Sequence, residues 1–225
     1  LIDPFEKDVV PRDCAINVAV EENVFVLVTA IANRVPVILI GPPGTSKSLS
    51  LSLVQSIFTT TDSKEHGLPR IKCRTYQGSE SSRSEELCSI YEDVSRMSRG
   101  DGEVGLLVVE ELSLMQLARA NPNKVLHTLL EDSSKCAFVG LSNHSLDGAP
   151  MSRSIVVFRP EAEEKQLLDT AQAVRKRLGL VAHRDECEKL AKAHLRAVAL
   201  LRALDLPHTY GSRSFFQLVK LLYDR

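Results

Sequence analysis

The chain contains no tryptophan, and aromatic residues make up only 5% of its 225 positions. A platform for single-stranded nucleic acid needs rings interleaved with basic residues, and no stretch of this kind occurs. Neither sign of charge prevails, since 28 Lys and Arg stand against 29 Asp and Glu for a net charge of -1. Bulk attraction to nucleic acid or to an anionic membrane is thereby removed, although a local basic patch is still allowed. No apolar run approaches the roughly 20 residues that a spanning helix needs. The longest, around Val24–Ile31, is interrupted by Asn23, Thr29 and Asn33. No basic segment followed by an apolar one opens the chain, so a secretory signal is not expected. The cysteines are Cys14, Cys73, Cys88, Cys136 and Cys187, an odd number without a CxxC pair. That argues against a disulfide framework and against a zinc site. Reduced, mostly buried thiols in a cytoplasmic protein are the expectation, and the six scattered histidines are expected in solvent or in the core.

What is present suffices for folding. With 44% hydrophobic residues, a chain of this length can bury one substantial core beside a smaller companion. The arm LIDPFEKDVVPRD, with two prolines and mixed charges, reads as a loop or extended linker. Residues 15–33 read as a helix, with Ile16, Val20, Val24, Leu27, Val28 and Ile31 near helical spacing. Short apolar runs follow at Val35–Ile40, Ile71–Tyr76, Val104–Val109, Cys136–Leu141 and Ile155–Phe158. Continuous runs of this type suit parallel strands covered on both faces. Helical segments near 47–58, 84–98 and 121–131 lie between them. This alternation predicts a doubly wound α/β sheet.

After Pro160 the pattern changes to helices alone, over 161–178, 183–204 and 212–223. The stretch PEAEEKQLL places acidic residues in a first turn, as the helix dipole favours, and Gly179 after Lys176-Arg177-Leu178 is a helix stop. A boundary near 160 therefore separates an α/β core, 1–160, from a small all-helical domain, 161–225. The ending LLYDR reads as the inside or the edge of a helix, compatible with an excerpt from something longer.

The run VILIGPPGTSKSLS, residues 37–50, joins a strand to a helix through a Gly/Pro loop. Gly41, Lys47 and Ser48 match G-x-x-x-x-G-K-[ST], with Ser46 in place of the second glycine and Gly44 inside the loop. In such a loop the backbone amides curl around a β-phosphate, the lysine reaches β and γ oxygens, and the hydroxyl holds Mg²⁺. Gly41, Pro42, Pro43, Gly44, Thr45, Ser46, Lys47, Ser48 and Leu49 are the candidate ATP-binding residues. A left-handed backbone at Ser46 costs about 1 kcal/mol, if the loop requires it.

A second signal is LLVVEE, a strand ending in Glu110 and Glu111. P-loop ATPases usually carry Asp-Glu there, the Asp steadying Mg²⁺ and the Glu polarising the attacking water. Glu110 takes the metal-side position with one extra methylene, together with Ser48, and Glu111 takes the base position. Asn143, the polar end of the run Ala137-Phe-Val-Gly-Leu-Ser-Asn143, is placed to hold that water. Arg153, before the fifth strand, and Arg213, in Tyr-Gly-Ser-Arg, complete the candidates.

In order, GPPGTSKS, LLVVEELS, FVGLSNHSLDGAPMSRSIVVFRP and YGSRSFFQLVK resemble the motifs of the AAA+ ATPases over nearly the whole chain. Longer phrases, such as the ENVF-containing helix and KVLHTLLED, are similar to those of AAA units in the mysterin family of giant AAA+ ubiquitin ligases. The resemblance implies a P-loop NTPase core with a five-stranded parallel sheet, followed by a helical lid, and Mg²⁺ and ATP as cofactors. It makes Gly41–Ser48 like Walker A, Glu110-Glu111 like Walker B and Asn143 like sensor 1. Arg153 falls where an arginine finger would reach a neighbouring unit, with Arg159 an alternative, and Arg213 falls at sensor 2. Neighbouring AAA+ units, in the same polypeptide or an oligomer, are the implied partners. Nothing here resembles a RING module, so any ubiquitin transfer would lie outside this chain.

Two other functions are open on the sequence. Glu110 in place of Asp suits a unit that clasps ATP as an architectural element. A small P-loop kinase is the third option, although no acceptor-binding motif accompanies the loop.

Overall fold

Strands that bury both faces need crossover helices on each side, and the chain supplies both. The computed structural model describes residues 14–59, 67–98, 102–119, 121–131, 135–179, 181, 183–206 and 210–221. The arm over 1–13, read above as a loop or linker, lies outside them. Two compact units emerge: one comprises 22–41 and 47–159, the other the described parts of 1–21, 42–46 and 160–225.

The first unit is a five-stranded sheet in the order β2-β3-β4-β1-β5. Its strands are β1 (Val37–Ile40), β2 (Arg70–Gln77), β3 (Glu103–Glu110), β4 (Ala137–Ser142) and β5 (Ile155–Phe158). All pairings are parallel, and the short central β1 is bonded on both sides, Ile40 lying opposite both Ser142 and Phe158. Six consecutive residues of β3 and all six of β4 are buried, which is why both read as unbroken apolar runs. The outer strand β2 instead exposes Lys72 and Arg74, charges that discourage pairing with another strand.

The crossovers are α2 (Lys47–Thr59), α3 (Ser84–Met97), the pair α4 (Leu112–Leu117) and α5 (Asn123–Leu129), and α6 (Gly148–Met151), while α1 (Val18–Ala32) precedes β1. Leu87, Tyr91 and Val94 of α3 pack with Leu107, Val109, Leu126 and Phe138 in one core. Burial of each such side chain contributes about 1.5–3 kcal/mol. The α4 and α6 helices are absent from the sequence reading, because six and four residues are too few to display a period.

In the second unit, α7 (Glu164–Arg177), α8 (Arg184–Ala203) and α9 (Ser212–Leu221) surround Leu167, Ala171, Val174, Ala191, Phe215 and Val219. Gln166 Oε1 accepts the Glu163 N–H at 3.1 Å, one half of a capping box. Gly179, with φ +74°, ends α7 as the sequence suggests. His194 is buried between the rings of Tyr210 and Phe215, with centroids 5.1 and 5.0 Å away. Burial holds its pKa below the usual imidazole value. Of the five free thiols, Cys136 and Cys187 are buried and the others half-buried, a more open set than expected.

Candidate functional site

Open parallel sheets receive ligands at the carboxyl ends of their strands, and the motif residues gather there. The Gly41 amide donates to Ser142 O at 3.1 Å, so the phosphate loop leaves β1 directly beside the end of β4. Lys47 begins α2 and is buried, 7% exposed. Its Nζ donates to Gly41 O and, at 3.1 Å, to Asn143 Oδ1. The Asn143 Nδ2 in turn donates to both carboxylate oxygens of Glu111, at 3.0 and 2.9 Å. Lysine, amide and carboxylate therefore form one line across the strand tips.

Glu111 takes its place in that line through an unusual backbone. Its φ of +53° lies in the left-handed region just before α4, a conformation that costs on the order of 1–3 kcal/mol and survives only when neighbours enforce it. Two glycines make room for those neighbours. A Cβ on Gly78 would stand 2.7 Å from both Glu110 O and Glu111 O, and the Gly78 amide donates to Glu110 O at 2.8 Å. A Cβ on Gly140 would stand 2.4 Å from Leu112 Cδ1. The turn at Glu110-Glu111 is thus clamped by the start of the β2–α3 loop and seated on bare backbone in β4. Neither glycine is singled out in the sequence reading; a lone glycine inside an apolar strand was the available signal for Gly140.

The loop itself is left-handed at Gly44, φ +91°, and at Ser46, φ +62°. The conditional cost at Ser46 therefore applies: a serine stands where the backbone turns as it would for glycine. Thr45 Oγ1 donates to Pro42 O at 2.8 Å, tightening the turn. A Cβ on Gly44 would lie 2.4 Å from the Arg213 backbone nitrogen, so only glycine permits this approach to the start of α9.

These residues fit a polyphosphate. Both of the Lys47 acceptors just named are neutral, so neither cancels its charge, and the alternating handedness at Gly44 and Ser46 is the kind that turns successive amides toward one anion. No cluster of three or more His, Cys, Asp or Glu suited to a metal occurs among the described residues. A hydroxyl, a carboxylate and phosphate oxygens together are what Mg²⁺ accepts, and the exposed Ser48 with the half-buried Glu110 offers the first two.

The arginines stand apart. Arg153 pairs with Glu131 at 2.8 Å on the surface, and His127 Nδ1 lies 3.9 Å from the same carboxylate. Glu131 is a partner that sequence reasoning does not find. Arg159 pairs with Glu22 at 2.5 Å and donates to Asn23 Oδ1 at 2.6 Å. With only 13% of its side chain exposed, Arg159 is a strut between the end of β5 and α1. Arg213 is exposed in the first turn of α9. No helix among the described residues is long and apolar enough to cross a membrane.

Comparison with known proteins places this geometry. The family model described as RNF213 AAA domain matches residues 13–166. The E3 ubiquitin-protein ligase rnf213-beta of Danio rerio is 31% identical over 226 residues, covering 92% of this chain and 4% of that protein. The E3 ubiquitin-protein ligase RNF213 of Mus musculus is 29% identical over 227 residues, covering 93% of the chain and again 4% of the relative. The chain thus spans a small fraction of the curated proteins it matches. Among solved structures, PCH-2 of C. elegans is similar with a TM-score of 0.58 at 16% identity, over 97% of this chain and 72% of that one. RuvB of Thermotoga maritima gives 0.54 at 17% identity, over 90% and 68%. Identities this low speak for the fold alone. With a family model matching more than half of its length and a P-loop AAA+ architecture around it, the chain belongs to the RNF213 AAA domain family.

Proposed function

We propose that this module binds Mg²⁺-ATP at Gly41–Leu49 and hydrolyses it, coupling turnover to motion against adjacent AAA+ units of a larger RNF213-like ubiquitin ligase in the cytoplasm. The observation that carries the reading is the single line of hydrogen bonds joining Lys47, Asn143 and Glu111. It gathers a cation, an amide and a carboxylate from three separate motifs at one sheet edge, as phosphoryl transfer to water requires. Bound magnesium would supply charge neutralisation of the phosphates, with Ser48 and Glu110 as its protein ligands. Lys47 would hold the β and γ oxygens. Glu111, acting with Asn143, would orient a water and take its proton. Arg153 would serve a neighbour's site and Arg213 this one. Ubiquitin transfer belongs outside these residues.

A second reading has its own support. Glu110 replaces the usual Asp, one methylene longer beside the metal position, which favours a unit that clasps ATP without splitting it. Phosphate release by the full-length protein, compared with its Glu111→Gln form, separates the two. Turnover lost in the variant supports hydrolysis at this unit. Equal release from both proteins, with unhydrolysed ATP retained through purification, would establish the clasp instead.

A further inference from the structure

We propose that His194 is an acid-responsive latch in the helical unit: when this buried ring gains a proton, the seat of α9 loosens. The inference stands apart from the nucleotide-binding reading above.

The ring is held mainly by apolar contacts. His194 lies in α8 and is buried, and one turn away on that helix stand Leu190, Ala191, Ala197 and Val198. The Tyr210 ring meets it at 50° and the Phe215 ring at 44°. Phe215 is fixed in turn by an edge contact with Phe216 at 5.2 Å. His194 Nδ1 is buried with no hydrogen-bond partner among the described residues. A neutral imidazole suits this setting, because one nitrogen can stay a bare acceptor while the other carries the proton. An imidazolium does not: Nδ1 then bears an N–H aimed at side chains that accept nothing, and a buried charge without a partner is costly.

The charged side chain that bears on the ring is Glu161, ahead of α7, which favours the proton. Its carboxylate is committed to Arg202 at 2.6 Å, and it offsets only part of the burial. The Tyr210 phenol, pushed up by burial, stays neutral, and α9 faces the ring with Phe215. Burial therefore leaves His194 below the unfolded value, ordinarily about 6.5. As pH falls through that value the unfolded chain takes up the proton first, so stability present above it is lost toward lower pH. The loss lands on α9. Tyr210 and Phe215 flank its first turn, and the backbone of Ser212 and Arg213 there is what a Cβ on Gly44 would strike. Residues 42–46 and α9 belong to one compact unit, so acid that loosens the helix also removes the wall behind Gly44.

Hydrogen–deuterium exchange of the full-length protein tests this, read over residues 210–221 at about pH 7.5 and about pH 5.5, on either side of the imidazole value. The intrinsic change in exchange rate between the two is divided out. Wild-type protection should fall about 3- to 10-fold at the lower pH. His194→Phe, apolar and similar in size, should hold protection constant within about twofold, because nothing at that position titrates. Glu161→Gln should deepen the wild-type loss, since it withdraws the charge that favours the proton. If the phenylalanine form lacks protection already at the higher pH, His194→Leu takes its place, and if both do, the Glu161→Gln comparison decides. An equal loss in the wild type and a folded ring variant would overturn the latch. So would no loss in the wild type, or a Glu161→Gln form that loses no more than the wild type. The proposed nucleotide chemistry would stand in each case.

Discussion

The tips of the central strands and the arginine-bearing surfaces follow opposite rules. At the tips, Lys47, Asn143 and Glu111 satisfy one another, and their backbones are held by sheet register and by close approach at Gly78 and Gly140. On the surface, Arg153 has a half-exposed Glu131, a pairing worth about 0–1 kcal/mol, and Arg213 projects from the first turn of its helix. The contrast teaches where order comes from. The groups proposed to serve the nucleotide are set by the sheet itself, while the arginine proposed to serve a neighbour is held only by a surface pair.

Four substitutions probe the contrast. The largest effect is expected from Lys47→Ala, which should lower nucleotide affinity about 100-fold by removing a charged donor to phosphate; titration calorimetry reads it, and a change under threefold would deny the tips their special role. Gly140→Val should reduce unfolding free energy by about 1–3 kcal/mol, because its side chain enters space held by Leu112; denaturant titration measures this. Ser46→Gly should add about 1 kcal/mol or less, by relieving a left-handed serine, visible as a raised melting temperature. Smallest of all, Arg153→Ala should shift stability by under about 0.5 kcal/mol and leave nucleotide affinity unchanged. A larger loss in either measurement would mean that the surface arginine belongs to the unit's own architecture, and the contrast would fail.

Much of this was legible beforehand, for reasons that particular residues illustrate. The five strands lie where apolar runs predict them, since burial on both faces leaves β3 and β4 no polar alternation to blur the signal. Their ends shift by a residue or two, as at Val35, which is read as strand although β1 begins at Val37. The phosphate loop and Glu110-Glu111 were visible because their chemistry demands fixed spacing within a few residues. The bond between Lys47 and Asn143 was not, because 96 positions separate them and only sheet order makes them neighbours. Nor could spacing distinguish Arg153 from Arg159. Their partners, Glu131 and Glu22, carry no motif of their own.

The brevity of β1 has a kinetic corollary. Bonded on both sides and wholly buried, its four residues should open only with the unit as a whole, and their amide protons should rank among the slowest to exchange with solvent. The Gly41 amide, tied to Ser142, extends that protection by one residue. Then come Pro42 and Pro43, which have no amide proton at all. Residues 42–46 thus follow β1 through a link that cannot join its ladder.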